Sequence, residues 1–83
     1  MYALRYEHRV EKELRPIPSR DRLQILHDIE RLQDQPRRHG VEKLGGVDGY
    51  RLRVGDYRIL FTIDDGSKRV TIYRIKHRRD AYR

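Results

Sequence analysis

Apolar residues recur along this chain at two different spacings. After Ser19, the residues Leu23, Ile25, Leu26, Ile29 and Leu32 form a stripe at steps of three and four, flanked by Arg20, Asp21, Arg22, Asp28, Glu30 and Arg31. That period predicts an amphipathic helix, with Ser19 as its N-cap and Gln35-Pro36 near its end. Upstream, Val10 and Leu14 stand one helical turn apart and predict a short helix over His8 to Arg15. Pro16-Ile17-Pro18 ends it, because neither proline has an N–H and each restricts the residue before it. Tyr2 to Glu7 alternates weakly and reads as a first strand. In the second half the period falls to two. Gly49 to Val54 and Tyr57 to Ile63 alternate around Gly55-Asp56, a Gly-first pair suited to a tight hairpin turn of type II′. Asp64-Asp65-Gly66-Ser67 reads as a second turn. Arg69 to Lys76, rich in β-branched residues, is the last strand. Residues 37–46 read as a loop, with Gly45-Gly46 in a turn.

The order is β-α-α-β-β-β in a single domain, residues 1–83. The expected class is α+β: a mostly antiparallel four-stranded sheet with two N-terminal helices on one face. The other face stays open as a working surface. A two-residue connection at Gly55-Asp56 sets the register. Val54 then faces Tyr57, Arg53 faces Arg58, Leu52 faces Ile59, Arg51 faces Leu60 and Tyr50 faces Phe61. Tyr50, Leu52, Val54, Tyr57, Ile59, Phe61 and Ile63 share the core face. Arg51, Arg53, Arg58, Leu60 and Thr62 share the other.

Composition narrows the setting. In 83 residues, 36% are hydrophobic and 40% charged, so the core is small and a partner is a natural support. With no cysteine, a reducing cytosol suits the chain better than secretion. Charges throughout Met1 to Val10 argue against a signal peptide, and no apolar run is long enough to span a bilayer. The formal net charge is +7. Residues 1–46 carry ten basic and eight acidic groups, net +2; residues 47–83 carry ten and five, net +5. A polyanionic partner follows, and arginine, with its planar fork, suits phosphate oxygens.

Arg53 across from Arg58 is a poor choice for stability alone, since like charges opposite each other destabilise a sheet. A bound polyanion relieves the repulsion; Asp48, Asp56 and Asp64 are the acids placed to screen it otherwise. The tail, Ile75-Lys76-His77-Arg78-Arg79-Asp80-Ala81-Tyr82-Arg83, adds a histidine, three arginines and a tyrosine. Cutting RNA without a metal needs a base for the ribose 2′-OH, a cation for the pentacoordinate phosphate and an acid for the departing 5′-oxygen. Arginine serves the second role. Tyr82 and His77 are the proton-carrier candidates, and nearby arginines are expected to lower the pKa of Tyr82. The same tail also reads as a frayed basic end whose Tyr82 packs back on the sheet. His8, His27, His39 and His77 are scattered, without metal-ligand spacing. Neither a nucleophilic serine nor a phosphate-cradling glycine loop is evident.

Tyr50-Arg-Leu-Arg-Val-Gly-Asp-Tyr-Arg58, followed by Val70-Thr-Ile-Tyr-Arg-Ile-Lys-His-Arg-Arg-Asp-Ala-Tyr82, resembles the RelE/ParE superfamily of toxin–antitoxin toxins, RelE-type toxins above all. The resemblance covers nearly the whole chain. It implies a ribosome-dependent mRNA interferase that cuts the codon in the ribosomal A site by 2′-OH attack, with no metal or cofactor. By resemblance, Arg58 falls on the phosphate-stabilising arginine, Arg78 on the basic residue after the last strand and Tyr82 on the C-terminal catalytic tyrosine. Arg51 and Arg53 fall where the family places basic residues, often lysines. Arginine keeps its proton, so these two anchor RNA, as do Arg79 and Arg83, and proton transfer passes to Tyr82 or His77. The implied partners are a cognate antitoxin, acidic and partly disordered, and the ribosome with its mRNA. Operator DNA is bound only through the antitoxin complex, the setting is cytoplasmic, and no membrane is involved. A ParE-like toxin that poisons DNA gyrase and a non-catalytic ribosome- or RNA-binding module are the alternatives.

Overall fold

The structure, a computed structural model, describes residues 1–45 and 49–82, with Ala81 and Tyr82 described by backbone alone. Its elements are β1 (Ala3–Tyr6), α1 (His8–Leu14), α2 (Ser19–Glu30), β2 (Val41–Lys43), β3 (Tyr50–Val54), β4 (Tyr57–Asp64) and β5 (Arg69–His77). Short 3₁₀ turns follow α2 at Arg31–Gln33 and β5 at Arg78–Tyr82. The α+β class and the order of the expected elements hold. The sheet, however, has five strands in the order β1-β5-β4-β3-β2. The added strand, β2, lies in the stretch expected to be a loop. It is three residues long, Glu42 and Lys43 are exposed, and no alternation marks it. Its backbone simply pairs with the free edge of β3. β1 runs parallel to β5; the other pairings are antiparallel.

The hairpin register is the one the two-residue turn predicts, from Val54 opposite Tyr57 to Tyr50 opposite Phe61. Gly55 has φ +59°, and Asp56 is not among the positive-φ residues, as a II′ turn requires. Leu52, Val54, Ile59 and Phe61 are buried under the helices, with Tyr50, Tyr57 and Ile63 packed against them. From α1 and α2 come Val10, Ile25 and Ile29, each fully buried, and Leu32 joins them from the following turn. Each such side chain contributes about 1.5–3 kcal/mol by leaving water.

Two details of α2 differ from expectation. The stripe is narrower: Ile25, Ile29 and Leu32 carry it, while Leu23 is 67% exposed. At 3.6 residues per turn Leu23 lies on the opposite side of the helix from the 25-29-32 line, and Leu26 lies at its margin, half-buried. The helix also starts after Pro18, so Ser19 lies in the first turn and no side chain caps that end. Instead, the Arg22 guanidinium donates to the carbonyls of Ile17 (3.1 Å) and Arg15 (3.4 Å), pinning the Pro16–Pro18 corner.

Beyond β1, helix α1 closes the edge of β5. The Ile75 N–H donates to the Glu13 carboxylate at 2.9 Å, where a neighbouring strand's carbonyl would otherwise stand. At the opposite end of the sheet, Arg37 grips Asp65 through two bonds of 3.0 and 2.9 Å, and the Tyr2 hydroxyl donates to the same carboxylate at 2.7 Å. These bonds hold the Asp65 carboxyl down at about 2.

Candidate nucleic-acid interface

The sheet face away from the helices carries a row of cations. Arg53 of β3 stands opposite Arg58 of β4, and Arg58 stands opposite Lys76 of β5. Adjacent strands are about 4.8 Å apart, so three positive charges fall within roughly 10 Å. Lys76 was not among the residues singled out from the sequence. The reason lies in β5. Val70 and Ile72 are buried, which by strict alternation would send Lys76 to the core and Ile75 to solvent. A bulge prevents this: Phe61 pairs with Ile72 but Leu60 pairs with Arg74, leaving Tyr73 as the extra residue. Past the bulge Ile75 returns to the core and Lys76 turns to the open face. The apolar spacing 70, 72, 75 was the available signal.

Arg51, also on this face, hydrogen-bonds Glu42 of β2. That bond holds the Glu42 carboxyl below the usual carboxylate range, with the more distant charges of Arg53 and Arg58 adding to the effect. Screening of the face therefore comes in part from Glu42, on the strand the sequence did not reveal, and in part from Asp56, as expected. Asp64 instead accepts the Ser67 N–H at 3.1 Å within its own turn. Asp48 lies outside the described residues.

The tail brings a further cation to the hairpin end. The Arg78 N–H donates to the Asp56 carbonyl at 2.7 Å, and its guanidinium lies 3.5 Å from the Asp56 carboxylate. Arg53, Asp56, Arg58 and Arg78 together line a shallow depression of about 220 Å³. Arg53 and Arg78 are exposed and Arg58 is half-buried, so all three can meet a ligand. Arg79 lies beside this group, exposed, around a second depression shared with Asp56, His77 and Arg78.

His77 takes the other side of the sheet. It pairs with Tyr57, a core-face residue, and their rings meet edge-on with centroids 5.1 Å apart. Its Nδ1 accepts the Arg79 N–H at 3.2 Å, and its own N–H donates to the Asp80 carboxylate at 3.2 Å. A neutral His77 so bonded carries its proton on Nε2. The structure thus groups Arg53, Arg58 and Arg78 with Lys76, leaves Arg51 paired to Glu42, and separates His77 from the row. Arg83 and the side chain of Tyr82 lie outside the described residues. Among the described residues, no cluster of three or more His, Asp or Glu side chains stands ready for a metal.

Charge-assisted bonds from three or four arginines and a lysine suit one or two phosphate groups on an extended strand. Two helices on one face of a small mixed sheet match the fold of solved RelE toxins. The chain belongs to the family of ParE toxins of type II toxin–antitoxin systems, whose model matches residues 4–82. Among solved structures it is RelE-like. It resembles the RelE–RelB complex of the archaeon Pyrococcus horikoshii OT3, at 30% identity over 93% of this chain and 94% of that one, with a TM-score of 0.84. The RelBE2 toxin–antitoxin complex of Mycobacterium tuberculosis matches at 25% identity over 92% and 96%, TM-score 0.81. The isolated E. coli RelE toxin matches at 25% identity over 93% and 84%, TM-score 0.81. No curated protein sequence matches the chain.

Proposed function

We propose that this toxin is a metal-independent endoribonuclease that cuts mRNA in the ribosomal A site by attack of a ribose 2′-OH on the adjoining phosphate. The observation that carries this reading is the Arg53–Arg58–Lys76 row with Arg78 at its end, on the face away from α1 and α2. In it, Arg58 and Arg78 neutralise the charge that grows on the pentacoordinate phosphate. Arg51, Arg53, Lys76, Arg79 and Arg83 hold the strand. Tyr82 moves the proton; the other candidate, His77, lines a depression with Arg78 and Arg79 but meets Tyr57 on the core face and has Nδ1 engaged by the Arg79 N–H. The partners in this reading are the ribosome with its mRNA and a cognate antitoxin, with operator DNA reached through the antitoxin complex, all in the cytoplasm. Structures similar to this chain were solved as RelE–RelB complexes, which supports the antitoxin.

A second reading follows from the family model, which is that of ParE toxins: a gyrase poison on the same frame. Primer extension on mRNA from a cell-free translation extract separates the two. New 5′ ends within codons are expected; intact message together with inhibited gyrase supercoiling overturns the nuclease. Tyr82→Phe tests the mechanism and, with it, a non-catalytic ribosome-binding role. Cleavage is expected to fall about 100-fold or more, as for loss of a general acid or base. Cosedimentation with ribosomes is expected to stay unchanged. Undiminished cleavage by the variant removes Tyr82 from the mechanism.

A further inference from the structure

The bulge in β5 does more than turn Lys76 outward. The residue at the bulge also puts an aromatic side chain on the open face. Ile72 is buried in the core, so Tyr73, the next residue, faces away from the helices. Its side chain reaches across β4 towards β3: the hydroxyl lies 3.1 Å from where a Cβ on Gly49 would stand. A side chain at position 49 would push against the ring, and glycine leaves it room. Leu44 borders the same spot, with Cδ1 3.2 Å from that Cβ position. Leu60 of β4 shares the face. Leu44, Leu60 and Tyr73 are each half-buried, and none packs against the main core. Beyond the cation row the open face thus carries a small apolar patch of Leu44, Leu60 and Tyr73, with Arg51 and Arg74 as the cross-strand neighbours of Leu60.

The spacing between the patch and the row is informative. Leu60 is two residues from Arg58 on β4, about 7 Å along the strand. That is the length scale of one nucleotide. A phosphate at Arg58 and Lys76 thus leaves a neighbouring base above Leu60 and Tyr73. Aromatic rings beside cations are the usual means of holding unpaired bases, since every base offers a π-face.

We propose that Tyr73, flanked by Leu60 and Leu44, is a nucleobase subsite that stacks an unpaired base of RNA next to the phosphate held by the cation row. The proposal rests on the RNA reading of that row. Tyr73 is a substrate-positioning residue in it and takes no proton.

The test is binding of a short, end-labelled single-stranded RNA, measured by fluorescence anisotropy at low salt. The same RNA is made with one abasic ribose at each position in turn. For the wild-type chain, one abasic position is expected to weaken binding about tenfold. Tyr73→Leu should lose the same factor on intact RNA and no longer distinguish the abasic RNA. Tyr73→Phe, which keeps the ring, should behave as wild type. Should Tyr73→Leu not fold, two readouts remain: the wild-type abasic scan, and photocrosslinking of 4-thiouridine-substituted RNA to the wild-type chain. The crosslink is expected on the peptide holding Tyr73. A flat abasic scan, or crosslinks only elsewhere, overturns the subsite. If RNA binds, weakens with salt and is lost in Lys76→Ala while the scan stays flat, the cation row stands and the subsite alone falls. If no RNA binds at any salt concentration, the RNA reading of the row falls and the subsite falls with it.

Discussion

At Arg58 two like charges meet one cation, Arg53 on one side and Lys76 on the other. Like-charge pairs across strands destabilise by about 0.2–1 kcal/mol. Glu42 answers part of this through Arg51, and Asp56 part through Arg78. Removing the central charge should then help the fold and harm the function. Arg58→Thr is expected to raise unfolding free energy by a few tenths of a kcal/mol, the low end of that range, while mRNA cleavage falls by about 100-fold or more. Urea denaturation at two ionic strengths checks the first half; the gain should shrink as salt screens the row. A variant that is destabilised and inactive together would reduce Arg58 to a structural residue.

The hairpin is the element most dependent on its turn. Gly55 sits at φ +59°, where a Cβ is strained although nothing crowds it. Gly55→Ala is expected to cost about 1 kcal/mol. The loss in activity should exceed the loss in stability, because Val54–Tyr57 closure sets where Arg53 and Asp56 stand. Thermal unfolding beside primer extension measures both. This hairpin was legible in the sequence because everything that determines it is local: two turn residues and a period of two. β2 was not legible, since three residues with two exposed charges carry no periodic signal and become a strand only by pairing with β3. The bulge at Tyr73 left a trace in the spacing of Val70, Ile72 and Ile75, but β4 decides on which side of it each residue falls.

Across the whole molecule, a cluster of residues distant in sequence ties the sheet end together: Tyr2, Arg37, Tyr50 and Asp65. Asp65 is depressed from 3.8 to about 2, first by its bonds to Arg37. A carboxyl whose folded pKa is lowered stabilises above its unfolded value and loses that contribution as pH falls through the folded one. The wild type should therefore lose stability between about pH 4 and pH 2 in excess of Asp65→Asn, and the two should converge near pH 2. Equal pH profiles would show that the cluster adds nothing. Arg37 and Asp65 are exposed, so the effect should be modest and sensitive to salt.

By itself the sequence determined which residues face the same way within the two hairpin strands, where the hairpin turns, and that the second half carries the surplus of positive charge. Those properties are local, set by backbone alternation, by glycine and by composition. Only the tertiary structure decided which cations meet. β5 had to lie beside β4, with a bulge, before Lys76 joined Arg58. α1 had to close the β5 edge with Glu13, and the tail had to bond to the Asp56 carbonyl before Arg78 joined Arg53. These are long-range pairings, fixed by burying one shared core, and no single segment of the chain contains them.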